Sequence, residues 1–195
     1  MTKTMEMTDE EIEYQVVRRR IKYPRLEFKT GRLVVVFPES GQNYVQLVKK
    51  YQRWITAKTE YINKALKNVS KKKLVLNRTP MEFKTLADEL VFVYSKELRV
   101  KPSKIFIRNM RSKWASMSAN RNLTLNSLLK HLPHDLVAYV IYQELVHIIE
   151  RRHNTRFWSI IRRKYKNPEK FETMLFEYWF LLKRVNLIPS LLDQK

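Results

Sequence analysis

The residues whose types and spacing suggest chemistry lie close together: Gln143, Glu144 and His147, with His153 six residues further on. Residues four apart share a helix face, so Gln143 and His147 would point the same way, with Glu144 about 100° round from Gln143. The surrounding segment from Leu136 to Ile149 is apolar almost all round, which predicts a buried helix. Polar groups on one arc of a buried helix are costly unless a metal, water or hydrogen-bond partners satisfy them. The pattern therefore predicts a functional site.

The spacing is that of the zinc-hydrolase helix H-E-x-x-H, in which two histidines bind the ion and the glutamate is the general base. Gln143 occupies the position of the first histidine. An amide oxygen is neutral and a poorer zinc donor than imidazole, and protein zinc sites are built mainly from His, Cys and carboxylate. Two alternatives stay open: Gln143 is a weak ligand, or it forms hydrogen bonds in a pocket that has lost its metal. For His147 alone, a hydrogen-bonded core histidine is a third interpretation.

Two other histidines, His131 and His134, are poor substitutes for the missing ligand. A helix that begins near Asp135 would place His134 about 13 residues, or ~20 Å, from His147. We therefore expect both to be loop or cap histidines. Without a metal, Glu144 would be a buried carboxyl with a raised pKa, or would pair with a nearby Arg or Lys.

The overall composition indicates an intracellular protein with a real core. The chain has 195 residues, 44% of them hydrophobic, and no cysteine, which excludes disulfides and thiolate metal sites. No apolar run approaches the ~20 residues that span a bilayer, and the N-terminus lacks the apolar core of a signal peptide. We expect a cytoplasmic protein without a membrane partner.

The charge is strongly unbalanced, with 39 Lys and Arg against 19 Asp and Glu, a formal net charge of +20. Such a charge favours polyanions such as nucleic acid. A thermophile-like charged surface would explain many charges but not their imbalance. The composition thus predicts a basic surface that could bind nucleic acid, without indicating which residues bind it or the oligomeric state.

The first part of the chain is predicted to hold a tail, a β-hairpin and a long helix. Residues 1–13 are polar, Met-rich and acidic, which is typical of a flexible tail. A strand over 14–20 precedes a hairpin of strands 25–28 and 32–37. Apolar residues then recur at helical spacing over 43–69, with Lys and Arg on the outer face. The region 14–78 is expected to pack on the rest.

Two aromatic residues of the long helix, Tyr51 and Trp54, allow two interpretations. A basic helix with interleaved aromatics can bind nucleic acid, but the apolar periodicity favours a place in the core. We predict that both are core residues.

The second part, 79–195, is predicted to be the domain that carries the site. Thr79-Pro80-Met81-Glu82 is a capping box with proline at the first helical position, so a helix should begin there. Strands over 104–108 and 122–126 precede the buried helix. A helix capped by Asn154 or Thr155 and a last helix after Pro168 complete an α+β fold.

Several ordered motifs resemble one family. The run at 107–116, I-R-N-M-R-S-K-W-A-S, is similar to the R-x-x-x-x-x-W-G-S block of the YgjP-like metal-dependent hydrolases, relatives of the WLM and SprT-like zincin metallopeptidases. L-T-L-N at 123–126 followed by Pro133 resembles the family's strand and helix start. Residues 143–147 and 153–158 match its H-E-L-x-H and H-x-x-x-F-W motifs. The hairpin and the helix with R-W-I at 53–55 also resemble the family's N-terminal half.

The resemblance implies a zincin-like metallopeptidase domain and a role for each matched residue. It assigns Glu144 as the base on a zinc-bound water, and His147 and His153 as ligands of the zinc. The chain departs from the family at Gln143, the weak or lost ligand, and at Ala115, where the block has glycine.

The expected function is therefore a metal-dependent, metallopeptidase-like hydrolase with an altered metal site. Peptides and nucleoside triphosphates are both allowed as substrates. The alternative is a non-catalytic nucleic-acid-binding protein that uses the zincin-like fold as a scaffold, and the sequence does not decide between enzyme and pseudoenzyme.

Overall fold

Two separate β-sheets, one in each half of the chain, organise the computed structural model. The structure describes residues 2–7, 10–29, 32–39, 44–69 and 72–184. It divides into a first unit, Met1–Asn68, and a second unit, Val69–Lys195. Strands and helices both contribute to the two units, so the predicted α+β class is confirmed.

The first unit has a four-stranded sheet of order β1-β2-β4-β3. Its strands are β1 (Thr2–Met7), β2 (Glu10–Arg19), β3 (Arg25–Lys29) and β4 (Arg32–Pro38). Strands β3 and β4 form the predicted antiparallel hairpin, and β2 pairs with β4 in parallel. Residues 1–13, expected as a tail, instead supply β1 and the start of β2, which pair antiparallel. Strand β1 forms because its backbone pairs with β2, and the polar composition of these residues does not predict that pairing.

The predicted long helix is two helices, α1 (Tyr44–Lys50) and α2 (Gln52–Val69). Val48 and Ile55 are buried against the sheet, whereas Tyr51 and Trp54 are 43% and 45% exposed. The prediction that both aromatics lie in the core is wrong. Tyr51 lies in the turn between α1 and α2, and Trp54 lies about 100° round α2 from the buried Ile55. The small core of this unit does not cover either ring.

The segment before the second unit's first helix belongs to that unit. The Val75 N–H donates to the His131 carbonyl (2.9 Å), and Arg78 donates to two carbonyls that flank His131. Lys72 pairs with the buried Glu177 (2.8 Å). The boundary therefore lies between residues 68 and 69 rather than between 78 and 79, because these long-range contacts anchor a stretch that has no regular structure.

The second unit begins with α3 (Pro80–Leu98), whose predicted capping box is present: Thr79 Oγ1 accepts from the Glu82 N–H, and Glu82 accepts from the Thr79 N–H. Its three-stranded sheet has the order β5-β7-β6. The strands are β5 (Lys104–Arg108), β6 (Ala115–Met117) and β7 (Asn122–Asn126). Strand β6, unpredicted because it has only three residues, is antiparallel to β7.

A 3₁₀ helix, Ser127–His131, leads to the helices α4 (His134–Val146), α5 (Thr155–Lys164) and α6 (Pro168–Arg184). Helix α4 is buried on nearly every side, as predicted. It ends at Val146 instead of Ile149, because the N–H groups of His147, Ile148 and Ile149 bond three residues back, which tightens the chain into a turn. Among the described residues, no helix is both long and apolar enough to cross a membrane.

Candidate active site

A cleft of about 370 Å³ lies between β6, the turn that follows it and the end of α4. Of the four residues singled out from the sequence, Glu144, His147 and His153 line this cleft, and Gln143 does not. The remaining lining residues are Lys113, Ala115, Ser116, Met117, Ser118, Ala119 and Arg151.

The early end of α4 brings the two histidines together. After the turn, Asn154 caps α5 by accepting a hydrogen bond from the Phe157 N–H (3.0 Å). Phe157 is fully buried, and its ring contacts both imidazoles at centroid distances of 4.7 and 4.4 Å. The rings of His147 and His153 stack at 4.8 Å. A tight turn, a helix cap and one buried aromatic therefore place His153 beside His147.

Hydrogen bonding determines the tautomer of His147. Its Nδ1 lies 3.1 Å from the Glu150 carbonyl oxygen, so Nδ1 must carry the proton. Its Nε2 is then an acceptor and faces Nε2 of His153 at 2.9 Å, which makes His153 the donor between the rings. Burial lowers the pKa of His147, which favours this neutral form.

Glu144 is a buried carboxyl with an incomplete set of partners. Burial raises the pKa of Glu144 to about 7, while a hydrogen bond from the Met117 N–H and the charge of Lys113 act in the opposite direction. Within the described part of the chain, its Oε2 atom is buried without a hydrogen-bond partner. A carboxyl of this kind can hold or release a proton near neutral pH.

The side chain of Gln143 is directed at α6, away from the cleft. Its Nε2 donates to Glu172 Oε1 at 2.9 Å, and the Tyr139 hydroxyl donates to the same oxygen at 2.7 Å. Tyr139 is fully buried and stacks on Phe171 at 4.8 Å, and burial raises its pKa. Sequence reasoning missed Glu172, since nothing in the spacing of α6 relates it to a residue on α4.

A buried asparagine at the end of β7 positions the loop before β6. Asn126 donates from Nδ2 to the carbonyls of Met110 (2.8 Å) and Lys113 (2.7 Å). Next to them, the Trp114 ring meets Trp179 edge to face at 4.9 Å. The loop is thereby held in place where Lys113 enters the cleft. Lys113 directly precedes the W-A-S of the matched block, which could have drawn attention to it, whereas Arg151 gave no such signal.

The donors in the cleft do not fit a three-ligand catalytic zinc. Such a site takes three protein ligands and an open position, and the cleft offers two imidazoles. Their Nε2 atoms lie 2.9 Å apart and hydrogen-bond to each other. In the described ranges, no three His, Cys, Asp or Glu side chains converge as a metal site. Lys113 and Arg151 also line the cleft, and their charges oppose a dication.

Comparison with known proteins identifies the region that contains the cleft. Residues 70–177, more than half of the chain, match the family model described as YgjP-like, metallopeptidase domain. No curated protein matches the chain.

Among solved structures, the chain is similar to the metallopeptidase zymogen jannalysin of Methanocaldococcus jannaschii, with 28% identity over 46% of this chain and 84% of that one and a TM-score of 0.41. It is also similar to the metallopeptidase zymogen abylysin of Pyrococcus abyssi, with 18% identity, 46% and 90% coverage and a TM-score of 0.43. Because both TM-scores are low, the family rests on the match over residues 70–177.

Proposed function

The chain belongs to the YgjP-like metallopeptidase domain family, and we propose that it is a member that keeps the cleft of a metal-dependent hydrolase but lacks its third metal ligand. One observation carries this proposal. The amide of Gln143 donates to Glu172 at 2.9 Å, so the side chain at the first ligand position points to α6 and not to the cleft. Metal-dependent hydrolysis is then impaired, while Glu144, His147 and His153 remain in place.

The charge of the cleft supports the binding of a ligand without its hydrolysis. Lys113 and Arg151 bring two positive charges to its walls, and Glu144 is its one carboxyl among the described lining residues. Because the pKa of Glu144 is raised to about 7, that carboxyl is largely neutral below pH 7. The cleft therefore suits an anionic group, either the carboxylate of a peptide or the phosphate of a nucleotide.

Proton NMR of the histidine rings tests this binding function. We expect inorganic phosphate, or a short peptide with a free C-terminal carboxylate, to shift the ring resonances of His147 and His153, and expect the double variant Lys113→Ala, Arg151→Ala to lose the shift. The control Lys166→Ala, Lys170→Ala removes the same charge from exposed positions that do not line the cleft. An unchanged spectrum with both probes, or a shift that survives in the cleft variant, would contradict the proposal.

A second candidate function is supported by the first unit. Tyr23, Tyr51 and Trp54 are 70%, 43% and 45% exposed. Lys22 and Lys50 lie over the rings of Tyr23 and Tyr51 at 5.3 and 5.7 Å, and Arg25 lines a hollow beside Trp54. Exposed aromatic rings next to positive charges are what single-stranded nucleic acid binds, by base stacking and phosphate contacts. Together with the net charge of +20, they support a nucleic-acid-binding role for this unit.

Oligonucleotide binding at increasing salt tests this second role. Trp54→Ala should weaken the binding of a thymidine oligomer by about tenfold, because one stacked base is worth about 1–3 kcal/mol. Leu76→Ala changes an exposed residue of the second unit and serves as the control. Equal affinity of the parent and Trp54→Ala, or affinity that does not fall with salt, would rule this role out.

A further inference from the structure

A second concave surface of the second unit lies outside the cleft and has no part in the proposed function. This surface, here named the α3 groove, encloses about 860 Å³ between the C-terminal half of α3, the start of β5 and the turn before β7. Its floor is apolar and aliphatic except for one aromatic ring; it comprises Val91, Phe92, Val100, Pro102, Ile105 and Ile148.

The rim of the α3 groove is positively charged. Lys96, Arg99, Lys101 and Arg121 line it, and none of the four forms an ion pair within the part of the chain that the structure describes. The one acidic lining residue, Asp88, is already paired with Lys84 at 2.6 Å. Four positive charges around an apolar floor are complementary to a partner that is both acidic and apolar.

Two of the rim residues have an unusual backbone. Arg99 and Arg121 have φ of 54° and 57°, the left-handed region that glycine adopts freely and other residues enter at a cost. They are the two non-glycine residues with positive φ among those described, and both side chains line the same groove. Arg99 is the left-handed C-cap of α3, and Arg121 lies in the turn between β6 and β7, so hydrogen-bonded turns hold both arginines at the rim.

The floor also contains an exposed ring. Phe92 is 60% exposed, and Lys96 Nζ lies 4.1 Å from its centroid. One aromatic among aliphatic residues is a poor platform for stacking successive bases, but it suits leucine, isoleucine or methionine side chains.

From the rim and the floor together, we propose that the α3 groove binds an acidic peptide segment that carries apolar anchor side chains. The apolar anchors contact the floor, and the carboxylates contact the Lys and Arg side chains of the rim.

Fluorescence anisotropy with the full chain tests the proposal. The probe is a labelled synthetic peptide of about twelve residues that combines glutamate with leucine at helical spacing. We expect Arg99→Gly with Arg121→Gly to weaken its binding by about tenfold or more. The same variant should unfold at the parent's temperature or higher, because glycine relieves the left-handed backbone. Unchanged peptide binding in this variant would overturn the proposal.

Two further variants complete the test. Lys96→Gln with Lys101→Gln removes two rim charges without touching the left-handed positions and should also weaken binding about tenfold. The matched control, Lys166→Gln with Lys170→Gln, removes the same charge elsewhere and should change affinity by less than about twofold. Equal losses in the rim and control variants would overturn the proposal, as would equal binding of a leucine-free glutamate peptide. A thymidine oligomer that displaces the labelled peptide as strongly as the unlabelled peptide does would also overturn it.

Discussion

Gln143 and Glu172 form the contact on which the account of the cleft depends. The Glu172 oxygen accepts two hydrogen bonds, from Gln143 and from the fully buried Tyr139. A glutamine satisfies this arrangement through its amide N–H, which leaves no role for it at the cleft. Gln143 is therefore part of the packing between α4 and α6.

Removal of the shared acceptor should destabilise the fold. Glu172→Ala leaves the buried Tyr139 hydroxyl and the part-buried Gln143 amide without their acceptor, and should cost about 2–4 kcal/mol in the free energy of unfolding. Glu172→Gln keeps an oxygen acceptor and should cost clearly less. Urea denaturation of the three proteins measures both values. Equal, small losses in the two variants would show that the contact does not hold Gln143 in place.

The buried carboxyl of Glu144 should make stability depend on pH. Its folded-state pKa, about 7, lies above the ordinary value of 4.5, so the folded state keeps its proton longer than the unfolded state does. The contribution to stability is complete below pH 4.5 and is lost as pH rises through 7, up to about 3 kcal/mol.

We therefore expect Glu144→Gln, which cannot ionise, to gain stability relative to the parent between pH 5 and pH 8. Denaturation of EDTA-treated protein at both pH values measures this difference. The matched control is Glu89→Gln, which removes an exposed carboxylate of α3. A pH-independent difference between Glu144→Gln and the parent would contradict the raised pKa.

At the scale of elements, the cleft depends on where α4 stops and on how the loop before β6 is held. The turn after Val146 and the Asn154 cap bring His153 onto His147. On the opposite wall, Asn126 holds the carbonyls of Met110 and Lys113. Outside β6 and the end of α4, both walls are turns and loops, so single side chains position His153 and Lys113.

Loss of the Asn126 side chain should therefore change both stability and the cleft. Asn126→Ala removes a buried side chain that donates to two part-buried carbonyls, and should destabilise the second unit by about 2–3 kcal/mol. It should also weaken the phosphate-induced shift of the His147 and His153 resonances, because Lys113 is no longer held. Asn154→Ala removes the cap of α5 on the other wall, at a cost of about 1 kcal/mol, and serves as the comparison. A phosphate response that is unchanged in Asn126→Ala would show that this loop does not position Lys113.

The elements were predictable where local chemistry dictates them. The Thr79–Glu82 capping box, the β3–β4 hairpin and the apolar run of α4 all follow from short-range patterns and are present. The end of α4 was not predictable, because Ile148 and Ile149 continue its apolar pattern while the backbone already turns. The direction of Gln143 depends on Glu172, 29 residues away on another helix, and local periodicity contains no information about it.

At the scale of the whole molecule, chain segments group by long-range contacts that composition does not show. Residues 72–78 contain no regular element, yet Lys72, Val75 and Arg78 anchor them to the second unit. Likewise, the net charge of +20 predicted polyanion binding without a location. The structure adds candidate locations: exposed aromatics with neighbouring cations in the first unit, and the rim of the α3 groove in the second.

Zinc titration by isothermal calorimetry, on tag-free protein first stripped with EDTA, tests whether the cleft lacks a third metal ligand. The parent should bind zinc weakly or not at all at micromolar concentrations, because its cleft supplies two imidazoles and no third ligand. Gln143→His combined with Glu172→Ala frees the position and restores an imidazole, and should tighten zinc binding by at least about a hundredfold. Tight binding of one equivalent of zinc by the parent, lost on His147→Ala, would contradict the claim that this member has lost its third metal ligand.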